Sequence, residues 1–304
     1  MPQAWITGAA GFIGQHLARS LCTRGWVVCG IGHGRPSAAI AAWQSTDISA
    51  EGLAQLAAEC GTPQFVFHLA GGSTVGASLQ APLEDFRRTV CSSAVLLEWL
   101  RQHARDAQVI VASSAAVYGD TRGVAAQESR PPAPVSPYGH HKLMMEQLCR
   151  EYAQVFGLRA AILRLFSVYG EGLRKQLLWD CSVKLAAPGE RLELGGSGAE
   201  VRDWVHVDDA VAMLEHIVEL ASPQCPVLNG GSGSGVRVAE LVSLLARALQ
   251  ASKRVEFSHV RRPGDPAALV ADVQHLHGLG LRCRVALEDG VQRYATWFRQ
   301  SRDG

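Results

Sequence analysis

The chain has 304 residues and a formal net charge of +1, with 47% apolar and 19% charged residues. That length and apolar content suit one large or two small domains with a sizeable core. The even scatter of charge excludes the concentrated basic patch of a nucleic-acid binder, and no apolar run is long enough to span a membrane.

Ala4–Thr7 predicts a first strand, Gly8–Gly14 a turn, and Phe12–Thr23 a helix stopped by Gly25. The N-terminus carries neither the basic region nor the long apolar stretch of a secretory signal, so the cytoplasm is the expected compartment. Trp26–Ile31 predicts a strand, Leu53–Glu59 a helix and Phe65–Leu69 a buried strand. Leu83–His103 reads as a long amphipathic helix, with Phe86, Val90, Leu97 and Leu100 among its apolar positions, and Val109–Ala112 as the next strand. Ser136 and Pro137 open a second long helix, to about Val155, as N-cap and first helical residue. Ala160–Arg164 is a further strand. Beyond 170 the pattern loosens into strands at Arg191–Leu194 and Val227–Asn229 and helices at Val238–Leu249 and Leu287–Arg299. The alternation predicts an α/β chain: a Rossmann-type, doubly wound parallel sheet over 1–170 and a smaller mixed α/β lobe over 171–304, with segments returning to the first domain. Eight cysteines stand singly, with no CxxC pair. They read as buried, reduced thiols, and no metal is expected.

Gly8, Gly11 and Gly14 join the first strand to the first helix. Glycines there let the backbone approach a pyrophosphate, and the helix N-terminus offers free N–H groups and a positive dipole end. A tight turn is the ordinary alternative; the position between strand and helix favours dinucleotide binding. Tyr138 and Lys142, four residues apart, share one helix face. A nearby ammonium is expected to lower the tyrosine pKa towards acid–base range. A surface tyrosine and a solvated lysine are the alternative. Ser113 and Ser114 end a strand, where ligands of open α/β sheets bind. Such a hydroxyl can hold a substrate oxygen and hand a proton to Tyr138; otherwise the serines merely begin a loop. After the second strand, NAD-binding folds usually place an acid on the adenosine ribose. Here Gly32 takes that position, His33 and Arg35 follow, and no carboxylate comes until Asp47. NADP is therefore expected to be tolerated alongside NAD, with Arg35 on the 2′-phosphate. The alternative is a flexible loop with Arg35 in solvent.

Six segments carry a family resemblance: TGAAGFIG (Thr7–Gly14), Asp47-Ile48, HLAGGSTVGASLQAP (His68–Pro82), SSAAVYGD (Ser113–Asp120), SPYGHHK (Ser136–Lys142) and VRDWVHVDD (Val201–Asp209). Over almost its whole length the chain resembles the extended short-chain dehydrogenases/reductases, in the nucleotide-sugar epimerase/dehydratase family of UDP-galactose 4-epimerase-like enzymes. The resemblance implies Ser114, Tyr138 and Lys142 as the catalytic set, with Ser114 preferred to Ser113 because it stands four residues before Tyr118. It implies Gly8, Gly11, Phe12, Ile13, Gly14, His33, Arg35, Asp47, Ile48, Leu69, Ala70, Ser113, Tyr138 and Lys142 around the dinucleotide. For a nucleotide-sugar substrate it implies Ser114, Ser167, Arg202, Arg262 and Asp265: guanidinium forks for the diphosphate, a carboxylate for ribose hydroxyls. Surface salt bridges are the alternative for the arginines. Asp203, Asp208 and Asp209 are expected to be structural, and His68, His206, His140 and His141 structural or solvated.

The departures bear on the reaction. Thr89 and Ser167 stand where the family commonly has asparagine. Leu269 takes a gate position that is often tyrosine, where a smaller residue would leave room for a bulkier C2 substituent; leucine alone leaves that choice open. Ala115 and Ala116 replace the acids that dehydratases use, so dehydration is disfavoured. Two reactions stay open: a C4 epimerase that returns its hydride, and an NADPH-dependent 4-keto-6-deoxy-sugar reductase that spends it. The triad serves both; His68–Pro82 and Ser113–Asp120 tilt towards the epimerase. A non-catalytic dinucleotide-binding sensor or scaffold is the reading of another class, and the complete triad favours an enzyme. The resemblance also suggests a homodimer built on Leu83–His103 and Ser136–Val155.

Overall fold

The computed structural model describes residues 1–260 and 264–303. The elements run β1 (Gln3–Thr7), α1 (Phe12–Thr23), β2 (Val27–Ile31), β3 (Ala42–Gln44), α2 (Ala50–Cys60), β4 (Phe65–His68), α3 (Val75–Gln80) and α4 (Pro82–Phe86). A π-helical turn over Arg87–Cys91 leads into α5 (Ser92–His103), then β5 (Gln108–Ser114), α6 (Pro137–Phe156), β6 (Arg159–Leu165), β7 (Ser167–Tyr169) and α7 (Gln176–Ala186). The rest comprises β8 (Arg191–Leu194), β9 (Val201–His206), α8 (Val207–His216), β10 (Val227–Gly230), β11 (Gly235–Arg237), α9 (Val238–Ala248), β12 (Arg254–Phe257), β13 (Ala268–Leu269), α10 (Gln274–Gly278) and α11 (Leu287–Asp303).

Two compact units result. Unit 1 comprises Met1–Val117, Ser136–Leu165 and Val211–Leu228; unit 2 comprises Tyr118–Val135, Phe166–Ala210 and Asn229–Gly304. The sequence suggests a boundary near 170 with segments returning to the first domain; in the structure the chain passes between units at 117, 135, 165, 210 and 228. Pairing within unit 2 explains the largest difference. Thr121 Oγ1 donates to Ala268 O (3.0 Å) and Ala126 N to Val270 O (2.8 Å), so the 118–135 segment is bound to β13 and the residue after it.

Unit 1 is built on a seven-stranded sheet in the order β10-β6-β5-β4-β1-β2-β3. The β1–β2, β1–β4, β2–β3, β4–β5 and β5–β6 pairs are parallel. Continuous apolar runs such as Val109–Ala112 suit strands covered on both faces, and these residues are buried. One core cluster joins Trp5, Val66, Val109, Val111 and Ile162 of the sheet to Leu96, Trp99 and Leu100 of α5 and Met145, Cys149 and Ala153 of α6. In α6 the Ser136 hydroxyl accepts from Gly139 N (3.2 Å), and the helix ends at Gly157 with φ +77°. The single helix expected over Leu83–His103 instead starts at Pro82 and contains the π turn. Parallel order brings the ends of β1, β2, β4 and β5 to one edge of the sheet, the edge at which such folds bind ligands.

Unit 2 holds β11-β9-β13 with β7 added beside β9, and a separate β8–β12 pair. The strands β7 and β9 and the helices α7 and α8 were not legible from periodicity, being short or uneven in their apolar pattern. Asp203 of β9, fully buried, organises this unit. Its carboxylate accepts from Ser232 N (2.7 Å), Ser232 Oγ (2.6 Å), Gly233 N (2.9 Å) and Ala271 N (3.1 Å). Asp209 likewise accepts from Arg284 N (2.9 Å) and Val285 N (3.1 Å). Cysteine burial is less uniform than the sequence reading: Cys29, Cys149, Cys181 and Cys225 are buried, Cys22, Cys60 and Cys283 half-buried, and Cys91 is exposed, because it faces out from the π turn. Among the described residues no helix is long and apolar enough to cross a membrane. Asp203→Ala leaves the buried N–H of Ala271 and the part-buried ones of Ser232 and Gly233 without their acceptor, at about 1–3 kcal/mol for the buried group. A loss of at least about 1 kcal/mol in urea denaturation is the expected outcome.

Candidate active site

The glycine turn is shaped by close approach. Gly8 has φ +71°, and a Cβ there would lie 3.1 Å from Ala70 N. A Cβ on Gly14 would lie 2.4 Å from Gly8 O, so α1 packs directly on the turn. Gly8 N donates to Ile31 O (2.9 Å) and Gly11 N to Gly8 O (2.9 Å). The N-cap Gly11 has no side chain to offer, and the first turn, with Phe12 and Ile13, contains no acid. Its amides and dipole therefore suit an anionic pyrophosphate. The residues present fit a dinucleotide.

A buried hydrogen-bond chain supports the next strand end. Ala70 N donates to Thr7 Oγ1 (3.2 Å), Thr7 Oγ1 lies 2.7 Å from His68 Nδ1, and His68 Nε2 lies 2.7 Å from Ser93 Oγ. Ser93 Oγ donates onward to Thr89 O (2.5 Å). With that hydroxyl proton committed, His68 must donate from Nε2 and accept at Nδ1 from Thr7. His68 is thus neutral and structural; burial, with Lys142 nearby, lowers its pKa to about 3. Leu69 and Ala70 follow it at the edge, half-buried. Thr89 is not idle: its Oγ1 accepts from Gly72 N (2.8 Å) and fixes the turn after β4.

The catalytic candidates meet at the β5 end and the first turns of α6. Ser114 hydrogen-bonds Tyr138, which is half-buried. Lys142 is buried; its Nζ donates to Ala112 O (3.0 Å) and lies 6.0 Å from the Tyr138 ring centroid. Burial lowers the Lys142 pKa to about 8, against the opposing charges of Asp85 and Glu146. The expected fall in the tyrosine pKa is not found. Burial raises it, the Ser114 hydrogen bond opposes the rise, and the Asp85 charge adds to it. Desolvation penalises phenolate as it penalises ammonium, and the Lys142 ammonium is turned to a carbonyl. Ser113, expected at the dinucleotide, points its hydroxyl elsewhere: Oγ donates to Glu146 Oε1 (2.6 Å), and Glu146 also takes Arg164 Nε (2.8 Å) and Nη2 (2.7 Å).

Two further groups stand apart. Gly32 has φ +148°, a conformation that L side chains rarely adopt, so an acid at that position would be strained. The loop instead receives its carboxylate from farther along the chain: Asp47 Oδ1 lies 2.7 Å from His33 Nε2, both exposed. Arg35 is exposed, and Ile48 packs on the core. In unit 2, Arg202 is ion-paired with Asp265 and donates from Nη1 to Val201 O (2.8 Å). Two residues chosen separately from sequence are thus partners. Ser167 pairs with Trp204 across β7–β9, and Leu269 sits opposite Arg202 in β13–β9. Arg262 lies outside the described residues.

Sequence reasoning missed Glu146 and Arg164, the Asp85–His141 pair (2.6 Å), and Ser78, whose Oγ accepts from Tyr138 N (3.0 Å). A signal for Glu146 existed: Tyr138, Lys142, Glu146 and Arg150 recur every four residues as one stripe on α6.

The family described as NAD dependent epimerase/dehydratase matches residues 4–229. A UDP-glucose 4-epimerase of Azospirillum brasilense is 31% identical over 325 residues, covering 98% of this chain and 92% of the relative. A UDP-glucose 4-epimerase of Thermotoga maritima, solved with UDP-glucose, superposes with a TM-score of 0.89 at 28% identity, covering 98% of this chain and 99% of that one. MoeE5, solved with UDP-glucuronic acid and NAD, superposes with a TM-score of 0.88 at 31% identity and the same coverage. The chain belongs to the NAD-dependent epimerase/dehydratase family and is an NAD-dependent enzyme of the extended short-chain dehydrogenase/reductase class.

His68 gives this site a pH signature. An unfolded histidine protonates near pH 6.5, whereas His68 in the fold stays neutral down to about 3. Between those values the unfolded state binds the extra proton, so stability falls as pH falls, by about 1.4 kcal/mol per pH unit. Denaturation midpoints across that window should show this slope, and His68→Asn should remove this component of it.

Proposed function

We propose that the chain interconverts C4-epimeric UDP-hexoses, with NAD retained through each turnover. The observation that carries this reading is the grouping of Ser114, Tyr138 and Lys142 at the β5–α6 edge, where Ala115 is buried and neither Ala115 nor Ala116 offers an acid. Ser114 holds the C4 hydroxyl oxygen and Tyr138 exchanges its proton. Lys142, anchored on Ala112 O, keeps a positive charge beside the phenol ring and can reach a ribose hydroxyl. Bound NAD supplies the acceptor and donor of the C4 hydrogen. Arg202, with Arg262, takes the diphosphate, Asp265 the nucleotide ribose, and Ser167 a further substrate contact. Relatives named for UDP-glucose and for UDP-glucuronate epimerisation make both sugar pairs the substrates to try.

Glycines 8, 11 and 14, with Phe12 and Ile13, cradle the dinucleotide; Leu69, Ala70, Asp47, Ile48 and the backbone of Ser113 complete its surroundings. NAD is favoured over NADP, against the expectation from Gly32 and Arg35, because Asp47 sets a carboxylate at the loop after β2 and would repel a 2′-phosphate. A homodimer through α5 and α6 is supported by Leu83, Met144 and Val155, which stand exposed on or beside those helices. The eight free cysteines fit the reducing cytoplasm.

The reaction is tested with UDP-glucose and with UDP-glucuronate. The 4-epimer should form while absorbance at 340 nm stays flat, and Tyr138→Phe should cut turnover by at least about 100-fold with the fold and NAD binding retained. Stoichiometric NADPH loss with a 4-keto-6-deoxy sugar nucleotide would assign the reductase instead. Sugar-nucleotide binding without hydride exchange would assign a sensor or scaffold. In calorimetric titration NAD should bind about tenfold or more tightly than NADP, a gap that electrostatic repulsion of about 1.4 kcal/mol produces. Asp47→Asn should narrow the gap. Tighter NADP binding, weakened by Arg35→Ala, would restore the NADP reading.

A further inference from the structure

Besides the Ala112 and Ser114 contacts, three contacts from the segment 72–93 hold the first turns of α6. Ser78 Oγ accepts from Tyr138 N (3.0 Å) and donates to Val75 O (2.8 Å). Asp85 Oδ2 lies 2.6 Å from His141 Nδ1, with side-chain exposures of 5% and 12%. The other oxygen, Oδ1, lies over Gly72, where a Cβ would meet it at 1.8 Å. Gly72 in turn donates its N–H to Thr89 (2.8 Å), one helical step beyond Asp85. The imidazole is also packed edge-on against Phe86, with ring centroids 5.4 Å apart. His141 stands between Tyr138 and Lys142 in sequence, so whatever fixes its ring fixes the turn that carries both.

The wide π turn at Arg87–Cys91 helps to make this arrangement possible. Residues four apart drift by about 40° around an ordinary α-helix. A wider turn offsets that drift, and Asp85, Thr89 and Ser93 all stay buried on one face. A carboxylate is an expensive group to bury, and this one serves no substrate contact that the epimerase reading requires.

We propose that Asp85 and His141 form a positioning pair, which clamps the start of α6 to the turn after β4 and thereby sets the placement and charge of Tyr138 and Lys142. The proposal rests on the epimerase reading only for its kinetic arm. The groups facing Lys142 are Asp85, Glu146 and Cys149, with His68 on the β4 side and Tyr138 one turn back. Of these, Asp85 is the one whose charge acts on both Tyr138 and Lys142, opposing proton loss from each.

The chain has only four lysines, Lys142, Lys175, Lys184 and Lys253, so the ε-carbon of Lys142 can be followed by NMR in the ligand-free protein. Asp85→Asn keeps the shape and an acceptor for His141 but removes the charge. The Lys142 titration midpoint should then fall by about one pH unit. The kcat should fall by about tenfold to a hundredfold with KM nearly unchanged, as a displaced catalytic group requires. An unmoved lysine midpoint, or an unchanged kcat, overturns the proposal. If Asp85→Asn fails to fold, His141→Ala takes its place: kcat should fall and recover in part with added imidazole, and an unchanged kcat overturns the proposal equally. If the native protein epimerises no UDP-sugar, the function reading fails, and the lysine titration still decides the clamp.

Discussion

The structure of unit 1 depends on one buried ion pair. Glu146 of α6 is fully buried and is held by two guanidinium nitrogens, Nε and Nη2, of Arg164 on β6, itself 2% exposed. Ser113 at the end of β5 donates to the same carboxylate, and Arg150 approaches it at 3.1 Å from one turn farther along. Such a pair is weak evidence for net stability, since desolvation offsets much of its attraction. Its effect is geometric. Losing one partner leaves a charge stranded in the core, at a cost of about 3–5 kcal/mol. The helix cannot slide or rotate without that loss, and Lys142 and Tyr138 lie one and two turns upstream on the same stripe.

Around that anchor, burial tunes the chemistry in both directions at once. It lowers Lys142 to about 8 and His68 to about 3, and it raises Tyr138. Each shift favours the neutral form, which is what removal of water does to any ionisable group. The local hydrogen bonds then decide which proton is most easily moved. His68 is locked into one tautomer by the chain from Ala70 to Thr89. Lys142 is tied to a carbonyl. Tyr138 is the one of the three with a hydroxyl partner, Ser114, that favours its ionised form. Under the proposed function the acid–base work falls to the tyrosine, and the other two hold the geometry and the field around it.

What was legible in the sequence was local. The turn at Gly8–Gly14 and the Tyr138/Lys142 spacing involve residues within one turn or one helix, so their relation follows from chain geometry alone. The pairs that the sequence concealed are distant: Asp85 with His141, Glu146 with Arg164, and Ser78 with Tyr138. Each needs the parallel strand order to bring its members together. The loop after β2 shows the same limit on a smaller scale. From sequence it lacks a carboxylate, yet β3 and its following residues fold back and set Asp47 against His33, the contact on which the proposed preference for NAD over NADP rests.

By itself the sequence determined the fold class, the glycine turn between the first strand and helix, and the Ser/Tyr/Lys residue types proposed for catalysis, because strand–helix alternation, glycine spacing and helical periodicity are short-range properties of a chain. Only the tertiary structure decided that Ser113 faces Glu146, where the unit boundaries run, and which way the pKa values move. Those depend on burial and on contacts between residues far apart in the chain, and the free energy of an ionised group is set by whatever lies within a few ångströms of it in the folded molecule.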